Sequence, residues 1–264
     1  MKDFTFHRPT TIKEAVGLLH GRDGAKFLAG GQSLLPVLKL ELAEPSDLVS
    51  LAQIKELHDI RVDGGNLLIG ALVTHDEVSR SPEVKKAIPA LAKLAGAIGD
   101  AQVRNRGTLG GSVAHADPAA DYPAAMVGLG ATVITDRRSI PADTFFTGLF
   151  ATALEHGELI KAVQFPVPKR ASYAKFAHRA SKYALVGVFI AETAGGIRVA
   201  VTGAGPTVFR APLYEAALGK KLEAAALDGI AVPATNFNSD AEASAEYRAH
   251  LVGVMARRAV QALA

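Results

Sequence analysis

Two glycine-rich segments constrain this chain more than any other feature of its sequence. Each holds a glycine pair followed within two residues by a serine: Ala29–Leu34 is AGGQSL, and Thr108–Ser112 is TLGGS. Adjacent glycines permit positive φ and let a ligand approach the backbone without a Cβ in the way. Successive N–H groups in such turns form anion-binding concavities, and a serine hydroxyl adds a donor. One such segment is more often a plain turn than a site, but two favour a single diphosphate held from both sides.

The rest of the composition indicates a globular chain. Of 264 residues, 49% are hydrophobic and 21% are charged, which is enough to build a core and excludes a disordered protein. The apolar runs are shorter than the roughly 18–20 residues that cross a bilayer, and the N-terminus MKDFTFHRPT has no signal-like apolar stretch. The chain has no cysteine, so it can form no disulfide, iron–sulfur cluster or thiol nucleophile, and we expect a cytoplasmic protein. The scattered basic residues argue against nucleic-acid binding.

Hydrophobic periodicity predicts strands alternating with helices as far as Pro166. The glycine-rich stretch 107–112 is predicted as a loop, and Pro89 is expected to split a helical pattern over 84–94. Pro166–Pro168 is a stiff connector, so we predict two domains, residues 1–168 and 169–264. In the second domain we expect three strands and three helices, the last helix being capped by Asp240.

Several familiar signatures are missing from the sequence. It contains neither the Gly-x-Gly-x-x-Gly of dinucleotide-binding domains nor the P-loop motif of NTPases. The His-Glu-x-x-His of zinc proteases and the Gly-x-Ser-x-Gly of serine hydrolases are missing as well. A Rossmann domain and a P-loop NTPase are therefore disfavoured.

The glycine segments belong to longer motifs that closely resemble the FAD-binding medium subunits of molybdenum hydroxylases. This family includes the medium subunits of aerobic carbon monoxide dehydrogenase and of xanthine dehydrogenase-like enzymes. The resemblance covers nearly the whole chain. The motifs that carry it are AGGQSL, IGA at Ile69–Ala71, VRNRGTLGGSVAHADPAADYPA at Val103–Ala124, GELIKAVQFP at Gly157–Pro166, YAKFAHRASKYALVGV at Tyr173–Val188 and DAEASAEYR at Asp240–Arg248.

The resemblance implies an α+β fold and an electron-transfer role. The fold would be a vanillyl-alcohol-oxidase-type FAD domain of two subdomains, followed by a small C-terminal domain with a three-stranded antiparallel sheet. FAD would take electrons from an iron–sulfur subunit and pass them to an external acceptor. The molybdenum cofactor and the 2Fe-2S clusters would lie in a large and a small partner subunit, in a dimer of heterotrimers. We expect no catalytic side chain and no metal ligand in this chain.

The resemblance also assigns cofactor contacts to residues of this sequence. The first glycine segment and the second would hold the diphosphate from opposite sides, and Asp121 would accept from cofactor hydroxyls. Ile160 would lie against the cofactor, Tyr183 would stack on the isoalloxazine ring, and Arg179 would approach the flavin. Lys182 departs from the family, where an acidic residue is common. The residues assigned are Leu28, Ala29, Gly30, Gly31, Gln32, Ser33, Leu34, Thr108, Gly110, Gly111, Ser112, Asp121, Ile160, Arg179 and Tyr183.

Plainer interpretations exist for some of these residues. Asp121 could cap the helix that follows it, and Tyr183 could be a core aromatic of the small domain. For His115 and Asp117, a structural or flavin-side role is a better explanation than a metal site. For Arg104 and Asn105, support of the second glycine segment is a better explanation than contact with FAD. Two other functions are compatible with the sequence: a stand-alone FAD oxidoreductase of the same superfamily, and a nucleotide-binding module without turnover.

Overall fold

The computed structural model describes residues 2–263, which form fourteen strands and eleven α-helices. The strands are β1 Thr5–His7, β2 Ala25–Leu28, β3 Asp47–Ser50, β4 Ile60–Asp63, β5 Asn66–Gly70, β6 Thr132–Thr135, β7 Ser139–Pro141, β8 Phe146–Gly148, β9 Ala151–Thr152, β10 Ile160–Pro166, β11 Arg170–Ala177, β12 Ala184–Thr193, β13 Gly196–Thr202 and β14 Phe209–Arg210. The helices are α1 Ile12–Leu19, α2 Leu34–Lys39, α3 His75–Arg80, α4 Pro82–Ala87, α5 Pro89–Gly96, α6 Ala101–Arg104, α7 Leu109–His115, α8 Tyr122–Leu129, α9 Ala142–Phe145, α10 Pro212–Lys220 and α11 Ala245–Gln261.

The strands form three main sheets and one small hairpin. The first sheet is parallel, in the order β1-β3-β2, and α1 packs on it. The second is antiparallel, in the order β4-β5-β10-β6-β7, and the third is antiparallel, in the order β11-β12-β13-β14. β8 and β9 pair in the hairpin. In residues 2–263, no helix is both long enough and apolar enough to cross a membrane.

Local sequence signals set many of the helix starts. Thr11 caps α1, and Thr74 forms a capping box with Glu77 at the start of α3. Pro82 and Pro89 each occupy the first position of a helix, where the missing N–H has no intrahelical partner to lose. The helical pattern is therefore divided at Pro89, as predicted.

Helix α8 and strand β12 join the two halves of the chain. Every residue of α8 is buried, and the helix packs against β10 on one side and against β12 and β13 on the other. In β12, Phe189 and Ala191 enter the large core that contains α8, whereas Val188 and Ile190 enter a second core beneath α10 and α11. Because successive side chains of a strand point to opposite faces, this sheet is covered on both sides.

The C-terminal sheet has four strands, so the expected three-stranded sheet is wrong. The additional strand, β14, has two residues, which pair with Ala200 and Val201 of β13. Two residues are too few to produce the alternation by which strands are recognised in a sequence.

Two further expectations are wrong, and in both cases a hydroxyl group caps the start of the helix. The stretch predicted as a loop over 107–112 is helical from Leu109, since the Thr108 hydroxyl accepts from the Gly111 N–H at 3.1 Å. Helix α11 is capped by Ser244, whose hydroxyl accepts from the Tyr247 N–H at 3.2 Å, and not by Asp240. Asp240 instead accepts from Arg248 at 2.7 Å.

Candidate functional site

A cavity of about 930 Å³ brings together segments that are far apart in the sequence. This volume lies near the upper end of the roughly 300–1,000 Å³ that small-molecule and cofactor sites occupy. Its walls come from the end of β2 and the start of α2, from the region of α6 and α7, from the loop before β10, and from the turn between β11 and β12.

The structure brings nearly all the predicted site residues to this cavity. Leu28 and Arg179 are not among the lining residues: Leu28 ends β2, and Arg179 lies in the turn that leads to Tyr183. The predicted residues that line the cavity are Ala29, Gly30, Gly31, Gln32, Ser33, Leu34, Thr108, Gly110, Gly111, Ser112, Asp121, Ile160 and Tyr183.

The two glycine segments pack against each other, and this contact explains some of their glycines. A Cβ on Gly30 would overlap the carbonyl group of Arg106, which lies just before the second segment. A Cβ on Gly111 would lie 3.5 Å from the Cβ of Ala29. The two segments therefore lie side by side, and Gly30 lets their backbones approach each other.

The two segments differ in the backbone donors that they leave free. The N–H of Leu109 donates to the Val73 carbonyl at 3.0 Å, and that of Gly110 donates to the Ala71 carbonyl at 2.8 Å. In contrast, the N–H groups of Gly31, Gln32 and Ser33 have no acceptor within residues 2–263. Consecutive free N–H groups bind anions, so the first segment offers an anion cradle, and the second offers a wall that has no side chain at Gly110 and Gly111.

Asp121 is buried at the cavity wall and is held by strand β11. Its Oδ1 accepts from the Tyr173 hydroxyl at 2.6 Å, and its Oδ2 accepts from Lys175 Nζ at 2.9 Å. The side chains of Lys175 and Asp121 are only 7% and 4% exposed. The helix-cap alternative is wrong, because the carboxylate bonds to β11 and not to the N-terminus of α8. Each oxygen still has acceptor capacity for a hydroxyl group in the cavity.

Burial raises the pKa of Asp121, and the Lys175 ammonium and the Tyr173 hydroxyl oppose this rise. Sequence reasoning missed both partners. Tyr173 and Lys175 are two residues apart on a strand, so their side chains share one face, and this spacing within the YAKF motif is the signal that could have found them. A Cβ on Gly187 would overlap the Tyr173 hydroxyl, so this glycine makes room for the contact.

Tyr183 lies at the cavity surface and is 49% exposed, so the core-aromatic alternative is wrong. Burial of part of the ring and the negative charges of Asp117 and Asp121 raise the pKa of its hydroxyl. The neighbouring Lys182 has φ +62°, in the left-handed region, and its side chain packs so tightly on Gly99 that a Cβ there would overlap it. Lys182, the residue that departs from the family, thus packs into the space that is free because Gly99 has no side chain.

His75 is the first residue of α3 and lines the cavity. It is 5% exposed, and burial together with the charge of Arg104 lowers its pKa to about 4, which makes it neutral at pH 7. Its ring centroid lies 5.4 Å from that of Tyr122.

Hydrogen bonds fix two other parts of the cavity wall. Glu158 accepts from the Thr135 hydroxyl at 2.7 Å and from Arg138 Nε at 3.0 Å. These bonds lower the pKa of Glu158 to about 2, and the bond from Arg138 has the largest effect. Near the second glycine segment, Arg104 donates to the Ile98 carbonyl at 2.7 Å, and Asn105 donates to the Ala101 carbonyl at 2.8 Å. The last two bonds hold α6 and the residues before it, and neither reaches the glycine segment itself.

Two family models match the chain. Residues 2–168 match the FAD binding domain in molybdopterin dehydrogenase, and residues 171–263 match the CO dehydrogenase flavoprotein C-terminal domain. The chain is 36% identical to the carbon monoxide dehydrogenase medium chain of Hydrogenophaga pseudoflava, with 98% of this chain and 96% of the relative covered. It is also 36% identical to the nicotine 6-hydroxylase medium subunit of Paenarthrobacter nicotinovorans, over 96% of this chain and 94% of the relative.

A solved structure has the same fold. It is a carbon monoxide dehydrogenase from Hydrogenophaga pseudoflava that lacks the Mo-pyranopterin moiety of the molybdenum cofactor. The TM-score is 0.90 at 36% identity, with 99% of this chain and 97% of that chain covered.

Proposed function

We propose a function for this chain as a member of the family to which it belongs, the FAD-binding medium subunits of molybdenum hydroxylases. The match to the family models confirms the resemblance seen in the motifs, and it confirms FAD as the cofactor. We propose that the chain is the flavin-carrying electron-transfer subunit of a larger oxidoreductase. It would accept electrons from an iron–sulfur subunit and deliver them to an external acceptor, while a larger subunit holds the molybdenum cofactor.

The observation that carries the proposal is the set of free N–H groups at Gly31, Gln32 and Ser33, on the wall of a cavity of about 930 Å³. An FAD diphosphate is an anion that needs such donors, and the second glycine segment, which packs beside them, has no side chain at Gly110 and Gly111 to block it. The donor set therefore fits the cofactor.

In the proposed complex, each segment of the cavity has a distinct task. The first glycine segment would donate to the diphosphate, and the Ser112 hydroxyl would add a donor from the second. Asp121, oriented by β11, would accept from cofactor hydroxyls, and Tyr183 would stack on the isoalloxazine ring, with Ile160 beside it. Leu28 and Arg179 would support these contacts from outside the cavity wall. Bound FAD would supply the redox chemistry, and the protein would supply position and electrostatics.

The experiment is an FAD titration of purified apo-protein with Gly111→Val and a matched control, Gly219→Val. Gly111 lines the cavity and its added Cβ would lie 2.9 Å from Thr108 Oγ1, so the apo melting temperature must be measured beside FAD affinity. Gly219 lies in α10 with nothing within 4 Å of its added Cβ, so the control carries only the helix-propensity cost of valine. We expect wild type and the control to bind one FAD per chain and Gly111→Val to bind it at least tenfold more weakly. Retention of full FAD affinity by Gly111→Val, with an unchanged apo melting temperature, would contradict the two-segment model.

The same preparations separate the alternative functions. A colourless wild-type chain that binds no FAD would support the nucleotide-binding module. Robust substrate oxidation by the yellow isolated chain would support a stand-alone oxidoreductase. We expect neither, and we expect the partners to form a dimer of heterotrimers with this chain, in the cytoplasm.

A further inference from the structure

The turn between β11 and β12 forms one wall of the cavity. Four consecutive residues of this turn, Ala180 to Tyr183, line the cavity. Lys182 adopts φ +62°, a conformation that is uncommon for a residue with a long side chain. The turn therefore needs specific contacts to hold its shape.

His178 supplies these contacts at both ends of the turn. Its Nδ1 accepts from the backbone N–H of Ala180 at 3.2 Å and from that of Ser181 at 3.0 Å. The His178 N–H donates to the Tyr183 carbonyl at 2.8 Å, and the His178 carbonyl accepts from the Lys182 N–H at 3.1 Å. His178 itself is not among the cavity-lining residues.

The hydrogen bonds define the tautomer of His178. Because Nδ1 accepts from two N–H groups, it carries no proton, and the ring proton of the neutral side chain is on Nε2. Nε2 lies 2.9 Å from Glu242 Oε2, so it donates to that carboxylate. Glu242 thus favours the tautomer that leaves Nδ1 free for the turn.

The DAEASAEYR motif, residues 240–248, also contacts the chain just after the turn. Arg248 Nη1 donates to the Leu185 carbonyl at 2.9 Å and to the Gly203 carbonyl at 3.0 Å. Leu185 follows Tyr183 by two residues, so one segment of the C-terminal domain contacts the chain before and after the tyrosine.

We propose that His178 is a positioning residue for the cofactor. Its Nδ1 orders the turn that presents Tyr183 to the flavin, and Glu242 of the DAEASAEYR motif fixes the required tautomer. This inference rests on the proposed function, since it concerns a turn that would contact FAD.

The test compares FAD affinity and the fluorescence of bound flavin in the full chain and its variants. Tyr183→Ala sets the scale of the loss, because a stacked phenol quenches flavin fluorescence. His178→Ala removes the acceptor and should weaken FAD binding by no more than Tyr183→Ala does, while raising flavin fluorescence. His178→Asn should recover most of both signals, because an amide oxygen can accept from the N–H groups two and three residues later, as in an Asx turn. The apo melting temperature of each variant reports any general loss of folding.

A double variant distinguishes positioning from a general structural role. If His178 acts through Tyr183, adding His178→Ala to Tyr183→Ala should change FAD affinity by less than about 2-fold, within the usual error of additivity. An equally large loss in both backgrounds, or a failure of His178→Asn to recover binding, would overturn the proposal. Failure of the wild-type chain to bind FAD would overturn the proposed function itself, and the wild-type titration reveals this separately.

Discussion

At the residue scale, the exposure of Tyr183 separates its proposed contact with the cofactor from a role in folding. Tyr183 is 49% exposed, so removal of its ring should leave the apo-protein nearly as stable as wild type. The stack on FAD would lose about 1–3 kcal/mol in Tyr183→Ala, which corresponds to about 5- to 150-fold weaker binding. Tyr183→Phe keeps the ring and should bind almost normally. Titration with FAD and apo-protein melting of both variants check this, and unchanged affinity in Tyr183→Ala would contradict stacking.

Lys175 gives a second residue-scale prediction, on stability. Lys175→Met leaves the buried Asp121 carboxylate without its cation, and breaking a buried pair in this way costs about 3–5 kcal/mol. Burial already raises the pKa of Asp121, and loss of Lys175 raises it further. When the pKa of an acid is higher in the folded state than in the unfolded state, the folded state loses stability as the pH rises through the folded-state pKa. We therefore expect the deficit of the variant to be larger at pH 7.5 than at pH 4.5.

Urea unfolding of the apo-protein at both pH values measures this deficit. The double variant Asp121→Asn with Lys175→Met is the control, because it has no carboxylate to titrate at this position and its deficit should not grow between pH 4.5 and pH 7.5. A pH-independent deficit in Lys175→Met alone would show that the pair does not act through the charge of Asp121.

At the scale of elements, the glycines of the two segments have different tasks. A Cβ on Gly30 would overlap the Arg106 carbonyl, so Gly30→Ala should separate the segments. Overpacking of this kind costs about 1–3 kcal/mol. Gly17→Ala is the matched control, since it lies in α1 with nothing within 4 Å and should stabilise the helix by about 0.5–1 kcal/mol.

Thermal unfolding of the two alanine variants without FAD measures the effect. We expect a lower melting temperature than wild type for Gly30→Ala and a melting temperature at or above that of wild type for Gly17→Ala. An unchanged melting temperature for Gly30→Ala would mean that the contact between the segments does not stabilise the fold.

At the scale of the whole molecule, the absence of cysteine defines what this chain can do alone. It has no thiolate ligands for an iron–sulfur cluster, so the isolated chain lacks the proposed electron donor. We expect the purified chain to carry FAD and to be reduced by a chemical reductant, but to oxidise no hydroxylase substrate. Co-expression with a larger and a smaller partner chain should restore turnover. The measurement is a comparison of the flavin spectrum and of substrate oxidation with and without the partners.

The sequence by itself determined the local elements and the family. The break of the helical pattern at Pro89 depends on that residue and its neighbours, so a short pattern predicts it. The motifs around the two glycine segments identified the family because they combine many residues at fixed spacing, and the family then indicated FAD.

Only the tertiary structure decided which groups meet. It joined Asp121 to Tyr173 and Lys175, which follow it by more than fifty residues, and so ruled out the alternative of a side-chain helix cap. It also added the short strand β14, and it gave the N–H groups of Leu109 and Gly110 to carbonyls of the segment after β5. These outcomes depend on the distances between segments that are remote in the chain, and such distances are set by packing of the whole core, which no local pattern encodes.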